Sequence, residues 1–364
     1  MKTSIVVVRW IVGLLFIFSG LIKINDPAGL SYKMQEFFEV GNLHLLNDYA
    51  LYFAILMNVF EVLAGVAIII GWQIKIFSWL LLALIIFFTF LTGYALFSGK
   101  IKACGCFGDC LPITPAQSFG KDLFLMVLIL ILLFFQSRIR SIFPNRLALL
   151  LLSFTVVISF FIQWYVLRHL PFIDCLPYKA GNNIVEQMKM PVGATTDSFS
   201  IQFFYKKNGQ QLQFDQEHFP ADFDSTYEYI DRKDLLVKKG NGLKPAITDF
   251  SLQTISKTDS TQFIFQQKGK YLLLMVQDGN DIDLWKPGFM ELLPQVTVMQ
   301  LPIYIVSAEA QKIADQINHV QVFSCDATVL KTAARVKPTY FLMEGATILA
   351  KYSYLDADKI LAKQ

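Results

Sequence analysis

The chain has 364 residues, 54% of them hydrophobic, with a mean hydropathy of +0.46. Soluble domains rarely reach that value, so membrane helices are the first expectation. The net charge is only +3, which leaves no electrostatic case for nucleic-acid binding, and the four histidines (His44, His169, His218, His319) show no metal-ligand spacing.

A hydrocarbon core of about 30 Å needs about 20 apolar residues in a helix. Five stretches meet or approach that length: 4–22, 50–71, 74–97, 121–136 and 146–167. The first carries Arg9 inside the apolar run and no small-residue cleavage site follows it, so it reads as a retained helix and not a cleaved signal. Glu61 falls near the middle of the second. A charge in hydrocarbon costs at least about 2.5–3.5 kcal/mol, so each needs a partner or a wet cavity. Consecutive helices are antiparallel, and an Arg9–Glu61 pair is expected, either fixing helix packing or forming a proton or quinone site.

Positive charge sets orientation. The connection between the fourth and fifth stretches holds Arg138, Arg140 and, soon after, Arg146, with no acid, and marks the cytoplasmic side. By alternation the N-terminus is cytoplasmic, and the loop at 23–49, the loop at 98–120 and everything after 168 lie outside. Lys100, Lys102 and Lys121 run against the rule. The localisation expected is a multi-pass inner (cytoplasmic) membrane protein with a periplasmic C-terminal part and all five cysteines on the oxidising side.

The loop at 98–120 contains Cys104-Gly105-Cys106-Phe107-Gly108-Asp109-Cys110. A nucleophilic cysteine must be a thiolate, and the nearby lysines supply positive charge. Gly105 and Gly108 permit the turns that bring sulfurs together. Cys104–Cys106 would close a small, readily reduced ring; Cys106–Cys110 is a more relaxed alternative, and three thiols allow a relay. Cys104, Cys106 and Cys110 are therefore the candidate catalytic residues. A structural disulfide pinning the loop and a thiolate site for Cu(I) or Zn are the competing readings. Cys175, just beyond the fifth stretch, is either a partner for the loop or a lone thiol.

Arg9, Gly13, Phe16, Gly20 and Lys23, followed by Asp26-Pro27-Ala28-Gly29, resemble the first-helix pattern of DoxX-type membrane proteins, and Glu61 and Gly65 resemble their second helix. The Cys104-Gly105-Cys106-Phe107-Gly108 run is similar to the motif of the related MauE proteins, linked to maturation of methylamine dehydrogenase. The resemblance covers about residues 1–140 and implies a four-helix membrane unit doing redox work near quinone. A quinone is accordingly the one cofactor suggested, with Arg9 and Glu61 as its candidate contacts.

After Pro177 hydrophobic runs shorten. Residues 198–214 predict a hairpin turning at Asn208-Gly209, within a β-rich connector that ends near Pro245. Beyond it strands and helices alternate. Lys270–Val276 predicts a buried strand, 286–294 a short helix, Val296–Val306 a strand, Ala308–Ile317 a helix, Val320–Phe323 a strand and Ala327–Ala334 a helix. Thr339–Met343 and Thr347–Tyr352 predict a hairpin, and 356–363 a closing helix. This order resembles a thioredoxin-like domain, with Val336-Lys337-Pro338-Thr339 similar to that fold's cis-proline turn. The Cys-x-x-Cys is missing: Gln277-Asp278-Gly279-Asn280 follows the first strand. Cys325 precedes a helix, which can lower a thiol pKa, but reads better as a buried core cysteine.

The expected organisation is a four-helix membrane domain (1–140), a fifth membrane helix (141–175), a β-rich connector (176–245) and a thioredoxin-like α/β domain (246–364). The function expected is a membrane-bound thiol–disulfide or quinone-linked redox protein, or a subunit of one, whose tail binds a periplasmic client or redox partner. The alternative is a non-enzymatic envelope assembly or maturation factor with a structural disulfide.

Overall fold

The computed structural model describes residues 2–99, 101, 105, 107–195, 198–215, 218–221, 223–238 and 240–362. They form two compact units. One runs to Asn182 and resumes at Ser251; the other is Asn183–Phe250.

The first unit opens with six helices: α1 (Lys2–Asn25), α2 (Pro27–Val40), α3 (Ala50–Ile70), α4 (Ile74–Ser98), α5 (Pro115–Phe134) and α6 (Asn145–His169). All but α2 are long and apolar enough to cross a bilayer, making this a multi-pass membrane protein. The apolar stretches read from the sequence correspond to these five helices. α5 starts six residues before its expected start at 121, because Thr114 and Gln117 form a reciprocal capping box ahead of Pro115. The segment 23–49, expected as a loop, holds α2 and a 3-10 turn over His44–Tyr49. Asp26 starts α2 by accepting from the Gly29 amide at 3.0 Å, and Pro27 supplies the first helical residue.

Lipid offers no hydrophobic incentive for helices to associate, so close backbone approach has to supply packing. α1 and α3 meet in this way. A Cβ on Gly13 would lie 2.8 Å from the Gly65 carbonyl oxygen, and one on Gly65 2.7 Å from that of Gly13. The Asn58 amide adds a polar link by donating to the Lys23 carbonyl at 3.1 Å and to Gln163 Oε1 at 3.0 Å, which ties α3 to α1 and α6. The connections after α1, α4 and α6 share one end of the bundle, and those after α3 and α5 share the other.

The second unit contains α7 (Ile184–Gln187) and an antiparallel sheet of β1 (Ser198–Lys207), β2 (Gln210–Asp215) and β3 (Glu228–Lys238), in the order β2-β1-β3. The predicted hairpin is present, with Lys207 opposite Gln210 across Asn208-Gly209. Tyr205 anchors an aromatic cluster. Its ring lies 5.0 Å from Phe223, 5.6 Å from Tyr229 and 6.0 Å from Phe219.

From Ser251 the first unit continues as α8 (Thr261–Phe265), β4 (Lys270–Val276), α9 (Ile282–Val298), β5 (Ile303–Ser307), α10 (Ala310–Ala314), β6 (Val322–Ser324), α11 (Ala327–Ala333), β7 (Thr339–Glu344), β8 (Thr347–Ser353) and α12 (Asp358–Leu361). The five strands form one sheet in the order β6-β5-β4-β7-β8; β4, β5 and β6 are parallel, and β7 and β8 antiparallel to their neighbours. β4 is buried from Tyr271 to Val276, as its unbroken apolar run implies. The Lys337–Pro338 peptide is cis.

Several boundaries differ from expectation, most of all at α9. Residues 296–298 belong to α9, not to a strand, and α9 runs through Pro287 and Pro294. Ile282, Trp285, Phe289, Leu292 and Val296 fall at spacings of three and four and are all buried against the sheet. That apolar stripe outweighs the hydrogen bonds the prolines cannot donate.

Candidate functional site

Cys104 and Cys106 lie outside the described residues. Cys110 is disulfide-bonded to Cys175, 65 residues away, with a Cα–Cα distance of 4.8 Å. Of the pairings left open by the sequence, Cys106–Cys110 is therefore excluded in this state. α6 returns the chain to the end of the bundle that carries the cysteine loop, so its exit segment presents Cys175 there.

Each half of this disulfide follows an aspartate, and each aspartate is held by a buried cation from the α/β sheet region. Arg335 Nη2 donates to Asp109 at 2.5 Å and its Nε to Asp26 at 2.8 Å, while Nη1 donates to the Lys331 carbonyl at 2.8 Å. Lys351 Nζ donates to Asp174 at 2.8 Å and to the Ala333 carbonyl at 3.0 Å. Burial alone would depress the Arg335 guanidinium, but Asp26 and Asp109 outweigh it and hold its pKa above the ordinary value. At Lys351 burial wins over the attraction of Asp174, and the pKa falls below the ordinary value.

The carboxyl end of β4 is occupied from the same side. Tyr32 of α2 donates its hydroxyl to Gln277 Oε1 at 2.9 Å, and the Gln277 amide donates to the Ala334 carbonyl. Burial pushes the Tyr32 hydroxyl up to about 12 despite the nearby Arg335. Gln277, the residue after β4, is thus an internal contact to the helical bundle.

Beneath the loop is a cavity of about 810 Å³. Its walls are mostly phenylalanine and leucine from α1, α2, α3 and α4; Gly105 and Phe107 of the cysteine loop close one side. Lys23 and Ser19 also line it. Behind them is Glu61, with no exposed surface. Lys23 Nζ lies 2.5 Å from Glu61 Oε1, and Ser19 Oγ donates to Glu61 Oε2 at 3.0 Å.

The expected Arg9–Glu61 pair is therefore replaced by Lys23–Glu61. Arg9 lies more than half the length of α1 from Lys23, towards the opposite end of the bundle. Its Nη1 would lie 2.9 Å from a Cβ on Gly71, and its buried Nε has no hydrogen-bond partner among the described residues. The stagger of α1 against α3 decides this, because Asn58 packs level with Lys23 and one turn later comes Glu61.

Cys325 is buried, and burial pushes its thiol up to about 12, with Asp326 adding to the shift. Asp326 spends its side chain on capping α11 at the Thr328 and Val329 amides. Among the described residues no group of three or more His, Cys, Asp or Glu side chains is placed to hold a metal ion.

The sequence singled out Lys23 and Asp26 only as residues of the first-helix pattern, without their partners, and gave no sign of Arg335 and Lys351. A signal was present for the two outer aspartates: the dipeptide Asp-Cys occurs at both 109–110 and 174–175. The cations that meet them are more than 150 residues further on and carry no local signature.

No curated protein and no solved structure matches the chain. Residues 199–239, spanning the three-stranded sheet, match a domain of unknown function (DUF8463). Residues 1–135, the helices α1 to α5 with the cysteine loop and Lys23–Glu61, match the family described as methylamine utilisation protein MauE.

Proposed function

We propose that this chain is a membrane-bound redox protein whose working thiols are Cys104 and Cys106. The observation that carries the reading is the Cys110–Cys175 disulfide. It uses the third cysteine of the loop as a staple, so Cys104-Gly105-Cys106 is the two-thiol unit left to exchange electrons. The thioredoxin-like tail then serves as a docked module that binds a client or partner, since Gln277 stands where a first thiol would be needed. The arginine-rich connection at 135–144 lies at the end of the bundle opposite the loop, which supports an inner-membrane protein with a cytoplasmic N-terminus and a periplasmic loop.

Trapping the thiols with alkylating mass tags in intact membranes tests this. Interconversion of one two-thiol unit under mild reductant, lost in Cys104→Ser and in Cys106→Ser but retained in Cys325→Ser, is the expected result. A single fixed redox state in every variant would refute it.

The second reading is a non-enzymatic assembly or maturation factor. What favours it is the Tyr32–Gln277 contact, which uses the carboxyl end of β4 for docking. Under that reading Cys104→Ser/Cys106→Ser retains function, and disrupting the tail abolishes it.

A further inference from the structure

The cavity of about 810 Å³ under the cysteine loop falls within the range of small-molecule sites, roughly 300–1,000 Å³, and is too apolar to be an aqueous channel. Three lysines line it and each is ion-paired, Lys33 with Glu36 at 3.0 Å and Lys121 with Asp122 at 2.8 Å. Lys23, 3% exposed, is neutralised by Glu61 at 2.5 Å, and Ser19 completes the group. A charged lipid headgroup gains little from lysines that are already paired, and an acyl chain offers the Lys23 ammonium no acceptor beyond Glu61, its other neighbour being the Phe88 ring at 5.1 Å. A neutral ring bearing carbonyl oxygens is complementary to the group. It accepts from Lys23 when oxidised, and negative charge that builds on its oxygen during reduction falls beside the ammonium. The rest of the lining is mostly phenylalanine and leucine, suited to a prenyl chain, and Gly105 brings the loop to the cavity's edge.

We propose that this cavity binds a lipid-soluble quinone, with its ring at Lys23 and Ser19 and its tail along the apolar wall. This rests on the redox reading above and names its electron acceptor. The reaction balances: two thiols lose two electrons and two protons and become a disulfide, and the quinone takes up both pairs on its ring oxygens and leaves as quinol. Lys23 touches the ring oxygen. Glu61, which lies behind it, is a positioning residue that fixes the ammonium.

The test uses the full chain in nanodiscs with decylubiquinone and a photoreactive azidoquinone carrying the same tail. Saturable binding is expected, with cross-links on the cavity walls of α1, α2, α3 or α4. Lys23→Met should weaken binding at least about tenfold, as loss of a hydrogen bond to a charged group implies. Leu91→Trp, which fills the cavity without touching the ion pair, should do the same with the Cys110–Cys175 disulfide intact. Glu61→Gln should weaken binding less than Lys23→Met. Cross-links elsewhere, unsaturable binding, equal affinity in the Lys23 and Leu91 variants and wild type, or a bound phospholipid that the quinone does not displace would each overturn the proposal. Cys104→Ser/Cys106→Ser should bind quinone normally. Binding without thiol turnover therefore refutes the redox reading alone, and thiol turnover without binding refutes the cavity site alone.

Discussion

Glu61 shows why charges in apolar surroundings come in groups. Its carboxylate has no exposed surface and is served by Lys23 and Ser19. Removing one member of a buried pair leaves an uncompensated charge and costs about 3–5 kcal/mol, whereas removing both is far cheaper. Lys23→Met and Glu61→Leu should each lower the melting temperature of the detergent-solubilised protein, and the double variant should recover most of the loss. Additive losses would show that the two side chains do not share one site. Cys325 provides a second test at this scale. A thiol moved from 9.0 to about 12 holds about 1,000-fold less thiolate at neutral pH, so Cys325 should resist alkylation in the native protein and react only after unfolding. Labelling of the native protein at an ordinary rate would contradict its burial.

Among the elements, Arg335 carries the attachment of the α/β sheet region to the helices. One guanidinium reaches the cap of α2 through Asp26 and the cysteine loop through Asp109. Arg335→Ala removes the cation shared by Asp26 and the more exposed Asp109, and is expected to weaken the attachment, read as faster proteolysis between the helical and sheet parts. Arg335→Lys should restore only part, since an ammonium cannot reproduce the planar fork that meets two acids. Proteolysis at the wild-type rate in Arg335→Ala would mean that apolar contacts alone hold the sheet in place. The elements themselves were largely legible in the sequence. The membrane helices and β4 are long apolar runs, and Asn208-Gly209 announced its hairpin. α2 was not legible, because its start depends on an Asp26 cap and its burial on neighbours. The true extent of α9 was hidden by two prolines that locally argue for a shorter helix. In the site, the loop cysteines and Glu61 were legible as residue types in unusual places. Their partners were not, because helix stagger and contacts across hundreds of residues decide them.

For the molecule as a whole, the junction with α6 brings in acid sensitivity. Asp356 accepts from His169 at 2.9 Å and from Lys359 at 2.6 Å. Burial pushes its carboxyl up, but these hydrogen bonds outweigh it and hold the pKa below the ordinary 3.8. A carboxylate depressed in the folded state stabilises it above the ordinary range, and that contribution disappears as pH falls through the folded value. Thermal stability should therefore drop below about pH 4, and Asp356→Asn should flatten that part of the curve. An unchanged acid limb in the variant would assign the drop to other carboxylates.

The Arg335–Asp109 contact also sets a timetable. The two residues are 226 positions apart, and ribosomes add about 5–20 residues per second, so the loop waits about 11–45 s for its arginine. Cys175 emerges sooner, 65 residues after Cys110. During synthesis Cys110 and Cys175 are therefore both made before the clamp on Asp109 exists. Correct pairing in the newborn chain is a race that Cys175 must win unaided, and the α/β region can only secure the outcome afterwards.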